Sequence, residues 1–287
     1  MRFVSCLRDG RETWGAVVND RFMDARTILH DRYKTLEEFV SSSDYAHREA
    51  LFQPKESSWP LGVIRYLPVI VRPEKIILIA RNYLDHHNEA VAAGLKREIT
   101  KYPPIFLRVW RSQVGHETPL IRPKVSQELD WEGELAVIIG KTGRHISEQD
   151  ALEYVAGYSA YNDGSVRDWQ FHAQQIAAGK NFVGTGAFGP WMVTPDEIGD
   201  PSTLKIETRV NGQVVQSSNT SHLIFGIPRL IHYTSTIFDL VPGDVIVTGT
   251  PSGVGFARKP PRFLVPGDMV EVEVERIGIL RNPVKDE

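Results

Sequence analysis

Short alternating runs of apolar and polar positions open the chain and then give way to a helical spacing, so the N-terminal part predicts a small α+β unit. Residues 2–7 and 14–24 read as strands, the second interrupted by Asn19-Asp20, a turn pair suited to a hairpin. Across residues 35–52 the apolar positions Leu36, Phe39, Val40, Ala50 and Leu51 supply one buried stripe. Pro54 and the Ser57-Ser58-Trp59-Pro60 stretch break it. Residues 1–70 are therefore expected as a small N-terminal α+β domain, joined through Pro68 and Pro73 to a larger body of residues 71–287.

That body is mainly strand-like, with β-branched runs at residues 75–80, 134–140, 204–211, 245–248 and 269–274. Leu240-Val241-Pro242-Gly243-Asp244 and Leu264-Val265-Pro266-Gly267-Asp268 set the same turn ahead of two of these runs. Asn211-Gly212 predicts a hairpin between residues 205–210 and 213–216. Helices are fewer. Ser147 with Asp150 reads as the capped start of one that Gly157 closes, and a second is expected over residues 167–178, ending at Gly179. The sum is a β-rich α+β fold.

Composition changes the functional picture more than the fold. Hydrophobic residues are 41% of the 287, charged residues 24%, and the net charge of -3 offers no field suited to nucleic acid or an anionic membrane, so neither is expected as a partner. The single cysteine, Cys6, permits no internal disulfide and reads as a small buried side chain in the first strand rather than a nucleophile. Charge at Arg2, Arg8 and Asp9 precedes any apolar stretch of signal-peptide length. The longest obvious apolar runs, at residues 76–80 and 136–139, are far short of the roughly 20 residues that span a bilayer. A soluble cytoplasmic protein is expected.

Candidate chemistry begins at residues 129–140. Read as one strand, they put Asp130, Glu132 and Glu134 on one face, and both faces turn apolar after Glu134. Two like charges at the mouth of a strand entering a core need a cation, a proton or solvent. The solvated alternative is two carboxylates at an exposed strand end. A third carboxylate, Asp163, follows the strand expected at residues 158–162 and precedes the Gly164-Ser165 turn. Such an all-oxygen set suits Mg²⁺, Mn²⁺ or Ca²⁺ better than Zn²⁺ or Cu²⁺. A second constellation is Asn82-Tyr83-Leu84-Asp85-His86-His87-Asn88-Glu89. If this segment is helical, His86 and Glu89 share a face, and the carboxylate fixes the tautomer of a basic imidazole. The same spacing also occurs on solvated helices.

Taken in order, Asn82-Tyr83-x-x-His86-x-x-Glu89, Pro104-Ile105-Phe106-Leu107, Leu129-Asp130-Trp131-Glu132-Gly133-Glu134-Leu135, Asn162-Asp163 with Arg167-Asp168, Gly179-Lys180-Asn181-Phe182, Gly189-Pro190, Asn211-Gly212 and Thr248-Gly249-Thr250-Pro251-x-Gly253-Val254-Gly255 resemble the fumarylacetoacetate hydrolase family over residues 70–284. The resemblance implies a mixed β-sandwich roll, a metal-dependent site, a homodimer and action on 2-oxo or 2,4-dioxo acids. It matches Glu132, Glu134 and Asp163 to the metal ligands, with Mg²⁺ or Mn²⁺ expected and Ca²⁺ able to take their place in crystals. It matches His86 and Glu89 to a catalytic dyad, Lys180 to a catalytic lysine facing the substrate, and Arg167, Gln170, Thr250 and Tyr83 to substrate-binding positions.

Departures from the family pattern are Ala80-Arg81 before Asn-Tyr, where a glycine is frequent, Arg108 for lysine, Val183 for aspartate and His222 for aspartate. The implied reaction is hydrolysis of a C–C bond in an acylpyruvate or related dioxo acid from aromatic-compound catabolism. The alternative is oxaloacetate-type decarboxylation, enol–keto tautomerisation or dienoate hydration with the same metal and enolate chemistry. A non-catalytic binding protein would predict a lost ligand or a broken dyad, and the sequence has neither. Water activation is the step for which His86 and Glu89 favour hydrolysis.

Overall fold

A computed structural model describes residues 1–53, 58–92 and 99–287. Among these, strands form a twelve-stranded mixed sheet, a five-stranded sheet and a two-stranded ribbon. The chain centre of the large sheet is the strand Gly133–Ile139, antiparallel to Val155–Asn162 on one side and to Val245–Val247 on the other. Ile76–Ile79 continues it in parallel beside Val245–Val247, and Ile105–Arg108 closes that edge.

The double burial expected after Glu134 has a direct structural cause. Leu135, Val137 and Ile139 point into a core shared with the five-stranded sheet and with the helix Ile227–Ile237, which supplies Leu230 and Ile231. Ala136 and Ile138 point into a second core with Phe3, Trp14 and Phe39. A strand that is covered on both sides must be apolar at every position, which is why periodicity vanishes there.

The first seventy residues add strands to the large sheet. Arg2–Arg8 pairs with Gly186–Val193 at Arg2↔Val193 and Phe3↔Met192, and Arg11–Val18 and Arg21–Asp24 follow as a hairpin. Asn19 and Asp20 turn that hairpin in the left-handed region, with φ of 49° and 56°. The helical stripe over residues 35–52 is broken into Leu36–Val40, a 3₁₀ turn Ser43–His47 and Arg48–Leu51. Its rings nevertheless assemble: Phe39 lies 4.8 Å from Trp14 and 5.7 Å from Phe3, centroid to centroid. The break expected at Pro54 and Ser57 lies outside the described residues. Cys6 is buried in the first strand, and burial pushes its thiol up to about 12.

Two helix expectations are corrected. Ser147 Oγ and Asp150 do bond each other, at 2.7 Å, but they precede only the 3₁₀ turn Ala151–Tyr154. Gly157 lies within the strand Val155–Asn162, where a Cβ would come within 2.4 Å of Met192 Cγ. The expected helix over residues 167–178 is two single turns, Arg167–Gln170 and Ala177–Lys180. The twin Pro-Gly-Asp turns share one solution: Asp244 Oδ2 accepts from Val241 N at 2.8 Å, and Asp268 Oδ2 from Val265 N at 3.0 Å. No described helix is long and apolar enough to cross a membrane.

The two sheets are also joined by polar contacts. Asn282 Nδ2 donates to the carbonyls of Gly115 and Thr118 at 2.9 and 2.7 Å, and Arg281 N donates to His116 Nδ1 at 3.0 Å. Burial pushes His116 down to about 4, so the folded state holds the ring neutral where the unfolded chain would protonate it. This stability is present in full above about pH 6.5 and is lost as pH falls toward 4. His116→Gln should therefore lose less stability than the wild type between pH 7.5 and 5, compared by urea midpoints; equal losses would remove His116 from the account.

Candidate metal centre and active site

The candidate metal-ligand carboxylates are brought together by a break in the strand expected to be continuous from residue 129 to 140. Leu129–Asp130 pairs instead with Ser165–Val166, and the central strand restarts at Gly133. At the break, Glu132 N donates to Asn162 Oδ1 at 2.9 Å, Asp163 N donates to Glu132 O at 2.8 Å, and Gly133 N donates to Gln216 Oε1 at 3.0 Å. Gly133 is required here, since a Cβ would lie 2.0 Å from Thr208 Oγ1. Glu132, Glu134 and Asp163 converge with one oxygen each within 4.8 Å of the others. All three are buried, which disposes of the solvated alternative.

Cations surround two of the three. Lys180 Nζ lies 2.8 Å from Glu132 Oε2 and 2.5 Å from Asp163 Oδ2. Arg108 Nη1 lies 2.5 Å from Asp163 Oδ1, and Arg167 bridges Glu132 Oε1 at 2.7 Å and Asp130 Oδ2 at 2.8 Å. Burial opposes the charge on Glu132, but Lys180 and Arg167 overcome it and hold the carboxyl below the usual range. Glu134 has the opposite fate. Burial, and then the charges of Asp163 and Glu132, push its proton affinity well above the usual range, against Lys180 and the Gly249 N–H that donates to Oε2 at 2.5 Å. Glu134 has no ion pair among the described residues, and the cluster is short of positive charge on its side. Three buried oxygen donors with that deficit fit a hard divalent cation.

His86 reaches the site from the helix Leu84–Ala92. Its Nδ1 lies 3.3 Å from Glu89 Oε2, while Glu89 Oε1 accepts from Gly253 N at 2.9 Å. The loop after Val245–Val247 is thereby tied to the helix. It turns through Gly249 and Gly253, at φ of 102° and 104°, and a Cβ on Gly253 would meet Val215 O at 2.0 Å. Thr250 Oγ1 donates to Gly133 O at 3.0 Å and accepts from Gln216 Nε2 at 2.8 Å.

A cavity of about 600 Å³ opens over these groups. His86 and Lys180 line it with the three carboxylates, as do Arg167, Gln170 and Thr250. Gln170 Oε1 accepts from Arg167 Nη1 at 2.8 Å. Glu89 stands behind His86 rather than in the wall. Tyr83 is also outside the wall, a buried side chain whose hydroxyl has no hydrogen-bond partner among the described residues. Of the departures, Arg108 is a buried counter-ion of Asp163, whereas Val183 and His222 are exposed and away from the cavity lining.

Asp130 was not singled out as a site residue, although it shares the acidic run with the ligands. It accepts from Gly255 N at 2.7 Å and Phe256 N at 3.0 Å while pairing with Arg167, so one buried carboxylate fixes both a loop and a cation. Phe256 lies under the Arg167 guanidinium, 4.6 Å from ring centroid to Cζ, and lines the cavity. The signal for Asp130 was its place on the even face with Glu132 and Glu134.

The molecule is thus a mixed, strand-rich α+β fold with a buried carboxylate triad at the mouth of its central strand, a set that could hold a divalent metal. The family model for the fumarylacetoacetate (FAA) hydrolase C-terminal region matches residues 75–285, and the chain belongs to that family. It is 44% identical to the mitochondrial oxaloacetate tautomerase of Rattus norvegicus over 226 residues, 78% of this chain and 71% of that one. The fumarylacetoacetate hydrolase structure from psychrophilic Exiguobacterium antarcticum superposes with a TM-score of 0.84 at 34% identity, covering 100% of both chains. Maleylpyruvate hydrolase from Sphingobium sp. SYK-6, in complex with manganese(II) ion and pyruvate, gives a TM-score of 0.82 at 27% identity, covering 100% of this chain and 99% of that one.

Two outcomes are expected of Mn²⁺ titrated into the metal-free protein. Affinity should rise with pH, because bound metal must displace the proton that Glu134 holds. Glu134→Gln should weaken binding by about tenfold or more and abolish the accompanying proton release, read by calorimetry in two buffers. Unchanged affinity in the variant would remove Glu134 from the ligand set.

Proposed function

We propose that this protein interconverts the enol and keto forms of a small 2-oxo acid of the oxaloacetate type, using Mg²⁺ or Mn²⁺. The observation that carries this reading is a cavity in which two proton-handling groups, His86 and Lys180, share a wall with the carboxylate triad. The 44% identity to an oxaloacetate tautomerase supports it over the C–C hydrolysis first expected. Tautomerisation needs a proton moved between carbon and oxygen and no activated water.

Glu132, Glu134 and Asp163 would hold the cation, which when bound supplies Lewis-acid charge for a chelating carboxylate and 2-oxygen. Lys180, fixed by Glu132 and Asp163, places a further positive charge where negative charge develops on oxygen. Glu89 accepts from Nδ1 of His86, leaving Nε2 as the nitrogen that exchanges a proton with carbon. Arg167 and Gln170 orient the substrate from the same wall, and Thr250 lines it from the glycine-rich loop. Tyr83 acts from beneath, packing the segment that carries His86.

The same basic nitrogen could deprotonate a water, and the structural match to maleylpyruvate hydrolase favours hydrolysis of dioxo acids as a second reading. We also infer a homodimer. Leu107 and Val109, at the open edge of the large sheet, and Val183 are 46%, 55% and 72% exposed. Asn181 links them, accepting from Val109 N at 2.7 Å and donating to Leu107 O at 3.3 Å, so they form one apolar patch.

The wild type loaded with Mn²⁺ should accelerate decay of the oxaloacetate enol absorbance. His86→Ala should lose about 100-fold or more in kcat/KM while holding Mn²⁺ within about threefold of the wild type. Acylpyruvate cleavage faster than enol decay would return the assignment to hydrolysis. Val183→Glu should shift the mass measured by light scattering from dimer toward monomer; an unchanged mass would place the interface elsewhere.

A further inference from the structure

We propose that Gln216 fixes the Thr250 hydroxyl as a hydrogen-bond acceptor toward the cavity, so that the site recognises the enol hydroxyl of its 2-oxo acid in preference to the keto oxygen. This rests on the oxo-acid reading of the site. Thr250 lines the cavity with His86 and the carboxylate triad, whereas Gln216 is not part of the wall. Gln216 therefore acts as a positioning residue, through Thr250.

Gln216 reaches Thr250 because its strand is irregular. In Gln213–Asn219 the register against Lys205–Val210 shifts from Thr208↔Gln216 to Arg209↔Val214, which leaves Val215 as an extra residue. A bulge of this kind re-aims the side chains beside it. Val215 and Gln216, neighbours that a regular strand would send to opposite faces, are both buried.

The buried amide has one orientation. Gly133 N, which can only donate, lies 3.0 Å from Oε1, and Pro251 O, which can only accept, lies 2.8 Å from Nε2. The second proton of Nε2 therefore goes to Thr250 Oγ1, at 2.8 Å. The proton of that hydroxyl goes to Gly133 O, at 3.0 Å. Backbone groups thus set the direction of each bond, and what Oγ1 has left is a lone pair. Turning the hydroxyl proton into the cavity would set a lone pair against Gly133 O, and turning it toward Gln216 would set it against an N–H.

The two tautomers of a 2-oxo acid differ at the oxygen on C2. The enol presents an O–H, which a lone pair accepts, and the keto form presents only lone pairs, which it repels. In a buried site no water relieves the mismatched pair, so the wall discriminates by hydrogen-bond polarity where shape and size are nearly equal.

Wild type, Thr250→Val, Thr250→Ser and Gln216→Met, each loaded with Mn²⁺, are compared by displacement of bound oxalate with lactate and with pyruvate, a pair in which an O–H replaces the keto oxygen. Thr250→Val should weaken lactate by about tenfold while pyruvate stays within about threefold or tightens, and Thr250→Ser should keep the wild-type ratio. Gln216→Met lets the hydroxyl turn, so the ratio of lactate to pyruvate affinity should fall by about threefold or more. Damage to packing alone would weaken both ligands equally. An unchanged ratio in Gln216→Met, or equal loss of both ligands in Thr250→Val, overturns the proposal, and Thr250→Val decides it if Gln216→Met does not fold. Ligand ratios that follow this pattern in a protein without enol–keto conversion would end the tautomerase reading alone, since neither ligand has to react.

Discussion

Three carboxylates buried at the mouth of the central strand are the constraint around which the molecule is organised. Burial of one such charge without a partner is prohibitive, and breaking a buried pair typically costs about 3–5 kcal/mol. Each counter-ion comes from a different part of the chain: Arg108 from the edge strand Ile105–Arg108, Arg167 from the turn after Asp163, and Lys180 from the last turn of a short helix. The ion pairs therefore tie together segments that are separate in the chain. They also leave Glu134 undercompensated, a deficit that a bound cation would fill.

What was legible in the sequence follows from this. Glu132, Glu134 and Asp163 stand out because charge meets a stretch apolar on both faces, and the two cores on either side of Gly133–Ile139 are the physical form of that pattern. The Asn19-Asp20 and Asn211-Gly212 hairpins were legible because their turns need left-handed backbone that these residues tolerate. The break at Trp131 and Glu132 was not, since it is made by Asn162 and Gln216, which are remote in sequence. Gly157 and Gly179 misled for one reason. Glycine was read as a helix stop, whereas at both places it relieves a tertiary approach, to Met192 and to the backbone around Gln170. Asp130 was legible only as a member of the acidic run, since its partners Arg167, Gly255 and Phe256 are remote in sequence.

The candidate metal centre is more legible in the sequence than the reaction. A ligand set is specified by residue type and convergence, both local to a few positions. The choice between moving a proton and attacking with water is not fixed by those positions, since His86 could serve either step. Much of the remaining cavity lining, Pro104, Ile105 and Phe171 among it, is of residue types that carry little chemical signature.

Glu89 shows how the fold links these parts. One oxygen contacts His86 Nδ1 and the other accepts from Gly253 N, so the helix bearing His86 and the loop bearing Thr250 share a single carboxylate. That loop in turn donates Gly249 N to Glu134 and Thr250 Oγ1 to Gly133 O. The positions of His86, Thr250 and Glu134 are therefore coupled through hydrogen bonds of one short, glycine-rich segment. A glycine at residue 249 or 253 is needed less for flexibility than for passage: the backbone must approach Asn82 and Val215 closely enough to close those bonds. The motif is thus a geometric requirement of the site, set by the same buried charges that organise the rest.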